Sequence, residues 1–420
     1  MNRATVSRAL LAQAILFAGA ASAADFHTQP QIDLRAEQND NFGLVPGGSP
    51  DSDVYGYVAD AQWLIDVATP RSGTTIRPRI KYQEFPDRSD LEKFEGFLDM
   101  HNQFRSERGT WDLYGHLSHQ DLYNNETRGG DFDPVDPGAG GGSDSGDIVV
   151  GEIREEFSVR PNYEYRATER TSIGAGLEYV TTRYDADQGT PTKTDYDYAQ
   201  ANGYLGWRLN PTSEVRAGLY ASKYEARDNS QDIDATGIYV GYGHRWSEQV
   251  GVDVVAFYEE NDITTFDPVL VKETTSNFGG EVSAYRKFEV TEWRFSVGRS
   301  YVPTGDGGKS ELDLFRLQYE RQLSQRLTFR GVGRYESRNA LGSTQAGIDR
   351  DFARADLSLK WLITRNWYVG GGYSYMWEDK AGALQTGDNN KLFINFGYEG
   401  LPYEQGKATG PGTGTGVETP

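Results

Sequence analysis

The chain has 420 residues, a formal net charge of −20, 26 tyrosines, 49 glycines and no cysteine. The lack of cysteine excludes a disulfide framework and a thiolate metal site, and the acidic balance argues against nucleic acid as a partner. Aromatic residues make up 13% of the chain, which excludes simple acidic disorder.

The first residues have the pattern of a secretory signal peptide. Arg3 and Arg8 supply a positive segment, Ala9–Ala20 is apolar, and Ala21-Ser22-Ala23 is a small-residue cleavage site. The apolar run is too short to anchor the chain across a bilayer. The pattern therefore predicts a cleaved signal peptide at residues 1–23 and export from the cytoplasm.

After this segment, apolar and polar residues alternate in about eighteen segments of about ten to fourteen residues, a length typical of tilted spanning strands. In chain order the predicted strands are Gln31–Asn41, Val54–Asp66, Thr75–Phe85, Phe94–Arg105, Thr110–Gln120, Val149–Tyr165, Ser172–Tyr184, Tyr198–Leu209, Glu214–Arg227, Ala235–Trp246, Val250–Asn261, Asn277–Phe288, Trp293–Tyr301, Leu312–Leu323, Leu327–Glu336, Ala353–Trp361, Trp367–Trp377 and Lys391–Leu401.

The clearest pair of strands runs from Ala353 to Trp377. Apolar side chains occur at every second position, and charged, small or polar side chains fill the positions between them. These strands are longer than the five or six residues usual in a soluble sandwich. The pattern predicts an all-β fold, namely a single transmembrane antiparallel up-and-down barrel over residues 24–401, with lipid outside and water inside.

The connections indicate which rim faces which compartment. The predicted turns after even strands are short, whereas those after odd strands are longer on average, and the longest is Asp121–Asp147. Short periplasmic turns and longer outer loops are typical of a Gram-negative outer-membrane barrel, with both barrel ends in the periplasm and with lipid and lipopolysaccharide as partners. Residues 402–420, rich in Gly, Thr and Pro, predict a disordered tail.

Tryptophan is unevenly distributed between the two rims. Indole rings favour the headgroup level of a membrane. Seven of the eight tryptophans fall at the periplasmic ends of predicted strands, and only Trp377 falls at the other end. The predicted periplasmic girdle is Trp63, Trp111, Trp207, Trp246, Trp293, Trp361 and Trp367.

The inward positions of the strands carry many charges. One interpretation is a pore wall whose basic and tyrosine side chains steer an anionic or sugar-like solute. The alternative is that these charges pair across strands and only solvate the lumen. The candidate lumen-lining residues are Arg77, Arg79, Lys81, Arg216, Arg245, Arg294, Arg316, Arg330, Arg334 and Arg354.

No sequence pattern indicates an enzyme, a cofactor or a metal. His116 and His119 lie three residues apart, so they face opposite sides of a strand, and no serine or aspartate pattern singles out a catalytic triad. The aspartates within Asp133–Asp147 lack the fixed ligand spacing of an EF-hand, so a solvated loop is favoured over a calcium site.

One stretch carries a resemblance to a known family. Leu34-Arg35-Ala36-Glu37-Gln38-Asn39-Asp40-Asn41-Phe42, followed by Ser52-Asp53, resembles the start of the β-barrel porin 2 group and is similar to outer-membrane barrels associated with exopolysaccharide or capsule export. The resemblance implies an outer-membrane pore, with polysaccharide and periplasmic export components as partners. Many such barrels end on an aromatic residue, whereas here Tyr398 is followed by an extension.

Three functions remain open from the sequence. The first is a transport pore that passes polar solutes or polysaccharide through a charged lumen. The second is a non-conducting barrel with a structural or surface-interaction role. The third, an enzyme at the rim, requires His, Ser and acidic residues to converge there.

Overall fold

The structure is a computed structural model that describes residues 24–45, 53–127, 148–186, 190–228, 230–266, 270–341, 349–380 and 386–400. The predicted signal peptide (1–23), the low-complexity segment 133–147 and the predicted tail (402–420) lie outside the described residues. Within the described ranges, no helix is long and apolar enough to cross a bilayer.

Eighteen antiparallel strands form one closed sheet, in which β1 pairs with both β2 and β18. The predicted fold class and strand count are confirmed, and every predicted strand overlaps an observed one. The strands are β1 Asp25–Asn39, β2 Val54–Ala68, β3 Ser72–Glu84, β4 Lys93–Arg105, β5 Gly109–Asp121, β6 Glu152–Arg166, β7 Thr171–Ala186, β8 Tyr196–Asn210, β9 Ser213–Ala226, β10 Gln231–Ser247, β11 Val250–Phe266, β12 Leu270–Lys287, β13 Thr291–Thr304, β14 Gly308–Gln322, β15 Leu327–Ala340, β16 Arg350–Leu362, β17 Trp367–Lys380 and β18 Gly387–Glu399.

The period-two pattern places apolar side chains on the outer surface of the barrel. On β18, Leu392, Ile394 and Phe396 are 58%, 61% and 44% exposed. Asn395 points to the other face, where its amide donates a hydrogen bond to Asp33 of β1. An apolar outer surface is the reverse of that of a soluble protein, and it is stable where hydrocarbon surrounds the barrel.

The two rims differ in their connections. Every connection after an even strand has four residues or fewer, whereas that between β5 and β6 spans residues 122–151. The start of β1 and the end of β18 lie at the rim of the short turns, where the Gly400 amide donates to the Pro30 carbonyl. The short-turn rim is the periplasmic one.

The prolines within strands interrupt the sheet only locally. A bulge or local irregularity is expected at Pro78 because proline has no amide hydrogen to donate to the ladder. The β2–β3 ladder lacks the two pairs around Pro78 and resumes with the same register, so the irregularity is a gap and not a bulge. The β6–β7 ladder has the same kind of gap at Pro161.

Inward glycines make room for aromatic rings on the neighbouring strand. Gly237 lies directly opposite Tyr220, and Gly218 lies directly opposite Tyr239. A Cβ atom at either glycine would overlap the opposing ring. Glycine here relieves crowding in the closed sheet, as expected from the glycine-rich strands.

We expect Gly237→Val to destabilise the barrel by about 1–3 kcal/mol, because the added side chain overpacks against Tyr220. The free energy of unfolding in urea, measured in lipid vesicles, tests this. Gly333→Val is the matched control, since no atom lies within 4 Å of a Cβ built there. Equal losses of stability in the two variants would contradict the steric explanation.

Candidate functional site

The ten candidate lumen residues all lie in strands, on the face opposite the exposed apolar side chains. They do not form one continuous basic surface, because eight of them contact a carboxylate. Four of the pairs join adjacent strands, as in the pairing across strands considered above, and the other four join residues two positions apart on one strand. The pairs are Arg77–Asp99, Arg79–Asp60, Lys81–Glu95, Arg216–Glu214, Arg245–Asp253, Arg294–Glu292, Arg334–Glu336 and Arg354–Asp356.

The other two candidates have different surroundings. The Arg316 Nε donates to the Ser296 Oγ at 3.2 Å, and Arg316 is 2% exposed. Arg330 is half-buried on β15, four residues before Arg334. Arg334 is also 2% exposed, so it is enclosed within the barrel wall and offers little surface to a passing solute.

Several inward cations also lie over aromatic rings. Such a pair is stabilised by the attraction between the positive charge and the ring face. Because the cation covers the ring, that face is not free to stack on a solute. The pairs with centroid distances of 4.4–5.5 Å are Arg35–Phe393, Arg79–Phe97, Arg160–Tyr114, Arg216–Tyr204, Arg245–Tyr285, Arg350–Phe352 and Lys360–Tyr368.

A short helix, α1 (Leu122–Glu126), folds into the barrel directly after β5. The Asp121 carboxylate caps it by accepting a hydrogen bond from the Tyr123 amide at 2.9 Å. The Tyr123 ring stacks on Phe42 with 4.2 Å between centroids. Burial raises the pKa of Tyr123, so its phenol stays neutral inside the barrel.

Helix α1 reaches the far wall. Glu126 is fully buried, and its Oε2 lies 3.4 Å from Arg350 Nη1 on β16. The carbonyl of the next residue, Thr127, accepts a hydrogen bond from Arg354 of the same strand. Strands β5 and β16 are seven steps apart around the closed sheet, so α1 crosses the interior.

The β13–β14 hairpin is the second element that folds inward. The β12–β13 ladder ends at the pair Gly280–Arg299, although β12 extends to Leu270 and β13 to Thr304. Beyond this pair, β13 remains bonded to β14 only, so the wall opens between β12 and β13, while β14 stays paired with β15 as far as Ser310. Arg299 stays on the outer surface, where it forms ion pairs with Asp313 and Glu311 at 2.6 and 3.2 Å.

A buried ion pair anchors this hairpin inside the lumen. Lys309 Nζ lies 2.8 Å from Glu259 Oε1 on β11 and donates to Asn261 Oδ1 at 3.1 Å. The Tyr220 hydroxyl donates to the second oxygen of Glu259 at 3.0 Å. Lys309 and Glu259 are 1% and 3% exposed, so the pair is shielded from water.

The tip of the hairpin reaches the strands on the other side. Lys193, in the β7–β8 connection, lies 2.6 Å from Asp306, and the Thr194 amide donates to the Gly305 carbonyl at 2.7 Å. The Tyr224 hydroxyl of β9 donates to a carbonyl of the hairpin at 3.0 Å. The hairpin therefore extends from its own place in the wall across part of the lumen to β9 and the β7–β8 connection.

Both inward elements differ from the sequence interpretation. Asp121–Asp147 is expected to be loop throughout, but Asp121 ends β5 and α1 follows it. The predicted start of β14 at Leu312 is wrong by four residues, because the strand begins at Gly308 within the inward hairpin. The aspartate cap and the broken alternation after Tyr301 are the only local signals of either element.

The tryptophans of the predicted girdle lie near the short-turn rim. Six of them are 43–63% exposed, and Trp293 is half-buried. Trp367 stacks on Phe396 with 5.2 Å between centroids, which extends the aromatic surface along β18. A closed antiparallel barrel with an apolar outer band and interfacial aromatics is the architecture of an outer-membrane protein, and this protein resides in the outer membrane.

His116 and His119 each pair with an acidic residue. His116 Nδ1 lies 2.6 Å from Asp99 Oδ1, and Arg77 donates to the other oxygen of the same carboxylate at 2.8 Å. His119 points outward and lies 3.1 Å from Glu155. As expected, these two histidines occupy opposite faces of β5.

No family model matches the chain, and neither does any curated protein. Several solved structures align with most of the chain at low sequence identity. OccAB3 of Acinetobacter baumannii is 8% identical with a TM-score of 0.44, and the alignment covers 89% of this chain and 99% of that one. OccK2 (OpdF) of Pseudomonas aeruginosa in complex with glucuronate is 10% identical with a TM-score of 0.42, covering 89% and 98%.

OpdK of Pseudomonas aeruginosa with vanillate is 12% identical with a TM-score of 0.41, and the alignment covers 89% of this chain and 98% of that one. The resemblance to exopolysaccharide-export barrels receives no support from these comparisons.

Proposed function

We propose that the protein is a pore through which small polar solutes cross the outer membrane. A barrel of eighteen strands encloses more space than the side chains of its wall fill. The inward faces carry many charged and polar side chains, which favour water and polar solutes, beside two buried clusters of aromatic and aliphatic side chains. The observation that carries this proposal is the pair of inward elements, α1 and the β13–β14 hairpin, which narrow a charged lumen.

The same two elements favour small solutes over polysaccharide. Both are fixed by buried polar contacts, Glu126 to Arg350 and Lys309 to Glu259. A long polymer would have to displace both, whereas a small solute needs only the space between them. Nothing among the described residues favours polysaccharide export over the passage of small solutes.

We expect the refolded protein to conduct ions across a planar bilayer. The double substitution Arg294→Glu with Lys360→Glu should shift the reversal potential toward cation preference, because these inward side chains are 41% and 39% exposed. Reversal potentials measured in a salt gradient give the result.

Lys223→Glu is the matched control. Lys223 is 52% exposed on the outer face of β9, outside the lumen, so the same change of charge there should leave the reversal potential unchanged. Closed bilayers with correctly folded protein would favour the non-conducting barrel. An equal shift of the reversal potential in Lys223→Glu would show that the charges in the lumen do not cause the shift.

A further inference from the structure

Five arginines lie close together on three adjacent strands of the inner wall. Arg316, Arg334 and Arg354 are directly opposite one another across β14, β15 and β16. Arg338 and Arg350 form a second row. Like charges directly opposite each other are destabilising, so this part of the wall requires anions.

Among the described residues, the wall supplies four of the carboxylates that face these five arginines. Arg338 donates to the Ser310 Oγ at 2.8 Å and also interacts with Glu336. Arg316 interacts with Glu281. Three of the arginines have a wall carboxylate each, in the pairs Arg334–Glu336, Arg350–Glu378 and Arg354–Asp356.

A fifth carboxylate of this arginine cluster comes from outside the wall. Helix α1 inserts Glu126, which is fully buried and lies 3.4 Å from Arg350. Its other oxygen accepts a hydrogen bond from the Asn125 side chain at 3.1 Å. The Thr127 carbonyl provides a further acceptor for Arg354. The cluster therefore binds the carboxylate of Glu126, and the short helix α1 connects this residue to β5.

We propose that the arginine cluster is an anion-binding site, that Glu126 occupies it as a tethered carboxylate, and that a small free carboxylate binds there in its place. The guanidinium groups are held by their wall partners, so the site is already formed when the carboxylate arrives. Only the identification of this carboxylate with a transported solute depends on the proposed pore function.

The substitution Glu126→Ala tests the site directly. It removes a methylene and the carboxylate, a fragment with the shape of acetate, while the arginines remain. We expect acetate to bind Glu126→Ala with a dissociation constant at least tenfold below that for the unsubstituted protein, and to raise the unfolding temperature of the variant. Acetamide, which has nearly the same shape and no charge, should do neither.

Isothermal titration calorimetry and thermal unfolding in detergent solution supply these readouts. Neither method requires conductance, so failure of the pore proposal would leave this result unaffected. Glu152→Ala is the matched control, because Glu152 is also buried but accepts from the Thr192 amide at 2.8 Å and not from an arginine. Adding Arg350→Gln to Glu126→Ala should abolish acetate binding.

Two results would overturn the proposal. One is equal acetate affinity in the unsubstituted protein and in Glu126→Ala. The other is equal stabilisation of Glu126→Ala by acetate and acetamide. If the variant does not fold in plain buffer, the refolding yield in acetate is compared with that in acetamide, and equal yields count against the site.

Discussion

Substitution of Lys309 by glutamate is expected to raise the single-channel conductance several-fold. Lys309 is the buried cation that holds the β13–β14 hairpin against Glu259. Breaking a buried ion pair by changing one partner is destabilising by about 3–5 kcal/mol, because a charge is left without compensation. Two carboxylates would then repel each other, and the hairpin would move away from β11. Planar-bilayer recordings of single channels provide the measurement.

A charge swap separates release of the hairpin from general damage. Lys309→Glu combined with Glu259→Lys restores opposite charges at the same two positions, so the conductance should return toward the starting value. The difference between the single and double variants measures the coupling between the two sites. Unchanged conductance in Lys309→Glu, with normal folding, would show that the hairpin does not restrict the lumen.

The second large effect concerns the outer surface. Ile394→Arg is expected to lower the free energy of unfolding by about 2–4 kcal/mol, because a charged side chain would face hydrocarbon near the middle of the membrane. Ile394 is 61% exposed and lies on β18 between Leu392 and Phe396. Unfolding by guanidinium chloride in lipid vesicles gives the value.

Asn395→Arg is the control one position along the same strand. Asn395 faces the interior and contacts the Asp33 carboxylate, so a cation is tolerated there. A small effect at residue 395 with a large effect at residue 394 is expected. The reverse order would mean that the apolar face is not the one in contact with lipid.

The sequence predicts the wall of the barrel well because each wall residue has only two environments. Leu357 and Leu359 face outward, and between them Ser358 faces inward, so the environment of a side chain follows from its position in the strand. The strand count, the antiparallel order and the rim of the short turns follow from this alternation. Strand ends are less well predicted, because polar rim residues resemble the connections.

The interior is poorly predicted because its contacts join distant parts of the chain. Lys309 and Glu259 are 50 residues apart, and Arg350 and Glu126 are 224 residues apart. In the sequence each of these looks like any other charged residue of the lumen. Arg334 belongs to a basic run that suggests a pore surface, yet it is enclosed beside Glu336. No local pattern distinguishes an enclosed arginine from one in contact with water.

The positions of the two inward anchors in the chain have a consequence for assembly. The β13–β14 hairpin is fastened to strands that precede it, whereas α1 is fastened to β16, which follows it by more than two hundred residues. No contiguous half of the polypeptide contains all four residues of the two anchoring ion pairs. The interior is therefore completed only after β16 has joined the sheet, and a chain truncated before that strand would insert with α1 still detached.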